Sequence, residues 1–152
     1  MRSGEVAQLR VADVTVVFGI PVLCIHDRFG SIKNQISLRE IPLHPQCIDL
    51  LDYVRTLKRP WLFEPAKWRS DRFQRYAGKF LREKAEITDP ALTMHSLRHT
   101  WRTLARECDM PEAISRAIMG HTLGAGEHGF YGSAPSLTKR AEWIAKIEPL
   151  SG

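Results

Sequence analysis

Residues 93–121, TMHSLRHTWRTLARECDMPEAISRAIMGH, read as two consecutive helices joined by a turn. Thr93 suits the N-cap of a helix over His95 to Glu107, whose apolar stripe is Leu97, Trp101, Leu104 and Ala105. Asp109 to Pro111 makes the turn. Pro111 fits the first turn of a shorter helix carrying Ile114 and Ile118, and Gly120 fits the left-handed position that ends it. His121 then falls just past a helix end. His95 and Arg98 stand one turn apart on one helical face, near an N-terminus whose free N–H groups and positive dipole end favour an anion such as phosphate. A His and an Arg at this spacing occur in many helices, so the pair acquires meaning only from what surrounds it.

Toward the N-terminus the pattern turns extended. Val14 to Phe18 and Ile20 to Ile25 are rich in β-branched residues and are broken by Gly19 and Pro21, and Leu38 to Leu43 forms a third segment. Together they predict a small three-stranded antiparallel sheet. The polar, Gly-containing stretch 26–35 lies between the last two strands and puts Lys33 on or beside a hairpin. A short helical pattern opens the chain, with Val6 and Leu9 on one face and Glu5 in its first turn, and the abrupt start reads as a fragment of something longer.

After Pro45, Cys47, Leu50, Leu51, Val54 and Leu57 recur at helical spacing until 59–65, RPWLFEP, breaks the run. A helix from Ser70 is expected to bury Phe73, Ala77, Phe80 and Leu81, with Arg72, Arg75, Lys79 and Arg82 recurring every three or four residues on another face. That basic row is either a solvated surface or a phosphate-contacting stripe. Residues 120–132, GHTLGAGEHGFYG, hold no steady period and carry Tyr131, and Leu137 to Ile147 returns to helical spacing with Trp143, Ile144 and Ile147. The expected fold class is α+β, mainly helical.

Composition narrows the function classes. The 152 residues, 43% hydrophobic and 26% charged, suit one globular domain. No apolar run approaches bilayer length and no secretion signal opens the chain, so a cytoplasmic protein with no membrane partner is expected. Three scattered cysteines, Cys24, Cys47 and Cys108, make neither a zinc pattern nor a disulfide framework and are expected to be reduced core residues. The net charge of +5 favours a polyanionic partner without proving one. His95 and His99 are one turn apart, as zinc ligands can be, but no Glu holds the metalloprotease position and no cluster completes a set, so no metal is expected and His99 is read as structural.

The ordered set is more specific than any part: Arg2 with Glu5, Lys33 ahead of Arg39-Glu40-Ile41-Pro42-Leu43, His95-Ser96-Leu97-Arg98-His99-Thr100, Gly120-His121, then Tyr131. From Arg2 to Tyr131 the chain resembles the catalytic domain of tyrosine recombinases, the family that includes phage integrases. The resemblance implies one integrase-like catalytic domain over 1–152, acting on double-stranded DNA as a homotetramer on paired sites, without metal or nucleotide cofactor. It also implies an N-terminal DNA-binding domain that these residues do not include.

By the same resemblance Arg2 and Arg98 are the two catalytic arginines that bind nonbridging oxygens of the scissile phosphate, and Lys33 is the hairpin lysine. His95 is the histidine of the His-x-x-Arg motif, His121 fills the His-or-Trp position, and Tyr131 is the nucleophile. The chemistry agrees with these roles. A phosphodiester repels nucleophiles and gathers charge on its equatorial oxygens in the transition state, which two guanidinium forks can meet. A phenol with an ordinary pKa of about 10 needs a proton acceptor, a role that falls to His95, and the departing 5′-oxygen needs a proton, which Lys33 can supply. Two other readings share these features: a non-catalytic DNA-binding remnant of an integrase, and a DNA-relaxing enzyme resembling type IB topoisomerases.

Overall fold

Val14–Val17 (β1) and Ile20–Ile25 (β2) pair antiparallel with Val17 opposite Ile20, which leaves a two-residue turn at Phe18 and Gly19. Both turn residues have positive φ, 49° and 78°, as a type I′ hairpin requires. Phe18 was expected to finish the strand; instead the turn takes it, and its ring is 95% exposed. Arg39–Pro42 (β3) pairs antiparallel with the other edge of β2, in the order β1-β2-β3. Pro21, read as a break, lies within β2. Its carbonyl accepts from Leu43 N on the β3 side, so the N–H it lacks belongs to that side and the β1 ladder is unharmed. The computed structural model describes residues 1–26, 38–63, 70–121 and 134–148. Lys33 and Tyr131, with the glycine-rich approach to Tyr131, lie outside the described residues.

Six helices accompany the sheet among the described residues: Ser3–Ala7 (α1), Leu50–Thr56 (α2), Ser70–Glu83 (α3), Met94–Glu107 (α4), Glu112–Met119 (α5) and Leu137–Ile144 (α6). The α+β, mainly helical class is therefore observed, with the small antiparallel sheet. Val14, Leu23 and Ile41 are cross-strand partners on one sheet face, and with Ile25 they meet Ala105, Met110, Ile114, Ile118, Ile144 and Ile147 in the main core. A smaller cluster of Ala7, Phe73 and Ala77 seats α3 against α1. None of the described helices is long and apolar enough to cross a membrane.

The departures from expectation have simple causes. Phe73, Ala77 and Leu81 are buried on α3, but Phe80, rotated by about 100° from Leu81, lies at the border of that arc and is 52% exposed. Leu97 is 48% exposed, although Met94 one turn earlier packs on the smaller cluster and Trp101, Leu104 and Ala105 join the main core. Cys47 is exposed, since a 3-10 turn at Pro45–Cys47 precedes α2 and turns it outward; all three cysteines are free. The last helix ends at Ile144 rather than Ile147, yet Ile147 still packs in the core. This tail covers its own domain: Arg140 on α6 donates to the Glu40 carbonyl of β3 at 2.5 Å, and His44 Nε2 donates to the Ile147 carbonyl at 3.0 Å.

Candidate functional site

Two helix ends build the site. At the start of α4 the Thr93 hydroxyl accepts from His95 N (3.2 Å) and Ser96 Oγ accepts from Thr93 N (3.0 Å), a reciprocal cap that fixes the first turn. His95 and Arg98 therefore occupy one face of a well-started helix. At the end of α5 Gly120 adopts φ 66° and ψ 45°, and Gly120 N and His121 N both donate to the Arg116 carbonyl. The turn leaves the carbonyls of Ile118, Met119 and Gly120 in need of donors at the negative end of the helix dipole.

Three arginines from three other elements fill that need in order. Arg39 Nε on β3 donates to Ile118 O (2.8 Å), Arg98 Nη2 on α4 donates to Met119 O (3.1 Å), and Arg2 Nη2 before α1 donates to Gly120 O (3.1 Å). Arg98 Nη2 also donates to His121 Nε2 at 2.6 Å. Residues 96 positions apart in the chain thus end on adjacent peptide units.

Glu5 binds the cluster from beneath. Its Oε1 accepts from Arg2 Nη1 (3.0 Å) and Arg39 Nη1 (3.2 Å), and its Oε2 from Arg2 N (2.7 Å) and Arg39 Nη2 (3.0 Å). Burial alone would push this carboxyl up, but the Arg39 and Arg2 bonds outweigh it and hold the group below its ordinary value. Three guanidiniums against one carboxylate leave the cluster with a surplus of about two positive charges.

Burial, and then the neighbouring Arg2, pull the Arg98 guanidinium below its ordinary value, although it stays charged at neutral pH. His121 is likewise lowered, by burial first and then by Arg98, so its ring is neutral at pH 7. A neutral ring that accepts at Nε2 carries its proton on Nδ1. Arg98 Nη1 is buried and has no hydrogen-bond partner among the described residues, so this donor of the fork is left unsatisfied.

Arg2, His95, Arg98 and His121 line a single cleft of about 1040 Å³, whose far wall is the α3 face of Gln74, Arg75, Gly78 and Arg82. Four of the six residues expected to carry chemistry therefore border one space, and Lys33 and Tyr131 lie outside the described residues. The basic row of α3 divides. Arg75 and Arg82 face the cleft, and Arg82 also braces the approach to α4 by donating to the carbonyls of Ile87 (2.7 Å) and Leu92 (2.8 Å). Arg72 is exposed, and Lys79 pairs with Glu83 at 3.7 Å. His99 is exposed and meets the edge of the His95 ring, 4.6 Å between centroids. Among the described residues no group of three or more His, Cys, Asp or Glu could hold a metal ion.

Sequence reasoning passed over Arg39. The signal was there: in a strand, residues two apart share a face, so Arg39 looks inward beside Ile41, and an inward arginine must find a carboxylate or carbonyls. Comparison with family models, with curated proteins and with solved structures gives no match.

Proposed function

We propose that this chain is the integrase-like catalytic domain of a tyrosine-type site-specific recombinase, which cuts and rejoins double-stranded DNA through a covalent 3′-phosphotyrosine. One observation carries the reading: Arg2 and Arg98, from opposite ends of the chain, donate to the successive carbonyls of Gly120 and Met119 and border one cleft with His95 and His121. Such a pair, with its surplus charge and restricted exposure, suits the equatorial oxygens of one phosphorus better than a mobile basic surface would.

In this mechanism the Tyr131 phenol attacks phosphorus in line, a P–O bond to Tyr131 forms, and the bond to the 5′-oxygen breaks. The phenolic proton passes to His95, which lines the cleft, and Lys33 protonates the leaving 5′-oxygen. Arg2 and Arg98 meet the charge of the pentacoordinate state, and Nδ1–H of His121 offers a further donor to a nonbridging oxygen. The phosphotyrosine keeps the energy of the broken bond, so a 5′-hydroxyl from another strand reverses the step and completes exchange, within a tetramer on paired sites. Arg75 and Arg82 on the opposite wall suit flanking phosphates.

The test uses the parent polypeptide that this reading implies, mixed with a nicked suicide duplex in EDTA. A denaturation-resistant protein–DNA adduct is expected, and Tyr131→Phe abolishes it. Binding without an adduct points to a DNA-binding remnant, and relaxation of supercoiled plasmid without recombinants points to a topoisomerase-like enzyme.

A further inference from the structure

We infer that Arg39 is a positioning residue, and that the carbonyls of Ile118, Met119 and Gly120 at the end of α5 are a template on which it sets the register of the two arginines facing the cleft. The inference rests on the phosphate-binding reading above. Arg39 is not itself a ligand contact: its side chain is 5% exposed, against 32% for Arg2, and it does not line the cleft.

Every polar atom of the Arg39 fork meets something that also fixes a neighbour. Nε holds the Ile118 carbonyl, one peptide before the carbonyl that takes Arg98 and two before the one that takes Arg2. Nη1 and Nη2 hold both oxygens of Glu5, the carboxylate that also bonds the backbone and guanidinium of Arg2. One planar group therefore spans β3, α1 and the end of α5, and a lysine, with one nitrogen, cannot reproduce that span.

Gly120 supplies an independent sign that the packing is arranged around this fork. A Cβ built on it would lie 2.6 Å from Arg39 Nη1 and 2.7 Å from Cζ, in a residue whose φ of +66° already disfavours a side chain. The backbone at the end of α5 thus approaches the Arg39 guanidinium so closely that a side chain at position 120 would force the guanidinium to shift.

Without Arg39, Glu5 keeps its bonds to Arg2 and draws it down from the cleft, while the α5 terminus loses the brace that aligns Met119 and Gly120. The test compares Arg39→Lys and Arg39→Gln with the unaltered 152-residue chain, and adds Glu5→Gln/Arg39→Gln, which removes both buried charges together and keeps the fold accessible. Two readouts are needed: the order of the Arg2 and Arg98 side chains from their Nε–Hε NMR signals, and affinity for inorganic phosphate by calorimetry.

Arg39→Lys is expected to unfold near the parent temperature, because Glu5 stays neutralised. Its phosphate affinity is expected to fall by about 10- to 100-fold, with the Arg2 and Arg98 signals collapsing to solvent-averaged positions. The double variant should stay folded and show the same loss. If Arg39→Lys retains both affinity and ordered signals, charge alone suffices and the positioning role is overturned, as it is if the double variant retains them. If the parent chain binds no phosphate, the phosphate reading fails by itself, and the side-chain signals still decide whether Arg39 orders Arg2 and Arg98.

Discussion

Two groups of arginines, one built into the end of α5 and one carried on α3, put the same residue type to opposite uses. At the end of α5, Arg2, Arg39 and Arg98 are each tied to a fixed carbonyl, and two of them share Glu5. On α3, Arg72 and Arg75 are exposed and Lys79 pairs with Glu83 within the helix, while Arg82 is tied to the carbonyls of Ile87 and Leu92. Rigid donors aimed at one point can discriminate a transition state from a ground state; mobile surface charges raise affinity for any polyanion and are screened by salt. The first group is therefore expected to govern chemistry and the second to govern encounter.

Removing the convergent fork should have the largest effect. Arg98→Ala is expected to lower the rate of adduct formation by about 100- to 1,000-fold, measured in single turnover at saturating DNA, with duplex affinity changed far less. An equal loss in both would make Arg98 a general anchor and erase the contrast with α3.

Next in size is the template itself. Gly120→Ala forces a side chain into a left-handed residue and against Arg39, and is expected to cost roughly 1–3 kcal/mol, read from denaturant unfolding, along with a loss of phosphate affinity. A variant that is as stable as the parent would show that the close approach between Gly120 and Arg39 does not exist in solution.

His121 sharpens the same comparison through pH. Its value is lowered in the folded chain, so its stabilising bond from Arg98 is fully present above the unfolded value of about 6.5 and is lost as pH falls through the folded value. Protonation at Nε2 would set two cations against each other. The parent chain should lose more stability than His121→Gln between pH 7 and pH 5, and equal losses would contradict the accepting role of Nε2.

The smallest effects belong to α3. Arg75→Ala, on the cleft wall, should weaken duplex binding a few-fold and reduce the salt slope by about one, with no change in adduct rate at saturation. Lys79→Ala should do less, because its ammonium faces Glu83.

Much of the scaffold was legible because it is written locally. Thr93 as a cap, Gly120 as a left-handed stop and the β-branched run of β2 are decided by neighbours within a few residues. What was not legible depends on partners far away in the chain. Arg39 meets Glu5 34 residues away and Ile118 79 residues away, and no local pattern specifies either. Phe80 looked buried because helical periodicity marks a face and not how much of it a neighbour covers, and Phe18 looked extended because its turn needs two left-handed residues where only Gly19 advertises one. For the site, Arg2, His95, Arg98 and His121 were nameable from their order, but the common template at the α5 terminus emerged only from the folded chain.

The most direct test of convergence follows the Nε–Hε signals of Arg2 and Arg98 during titration with inorganic phosphate, in the parent chain and in Arg98→Ala. Convergence predicts that both signals titrate with one dissociation constant and that the response of Arg2 disappears when Arg98 is removed. An Arg2 signal that still titrates with unchanged affinity in Arg98→Ala would mean that the two arginines serve separate sites, and the central claim would be wrong.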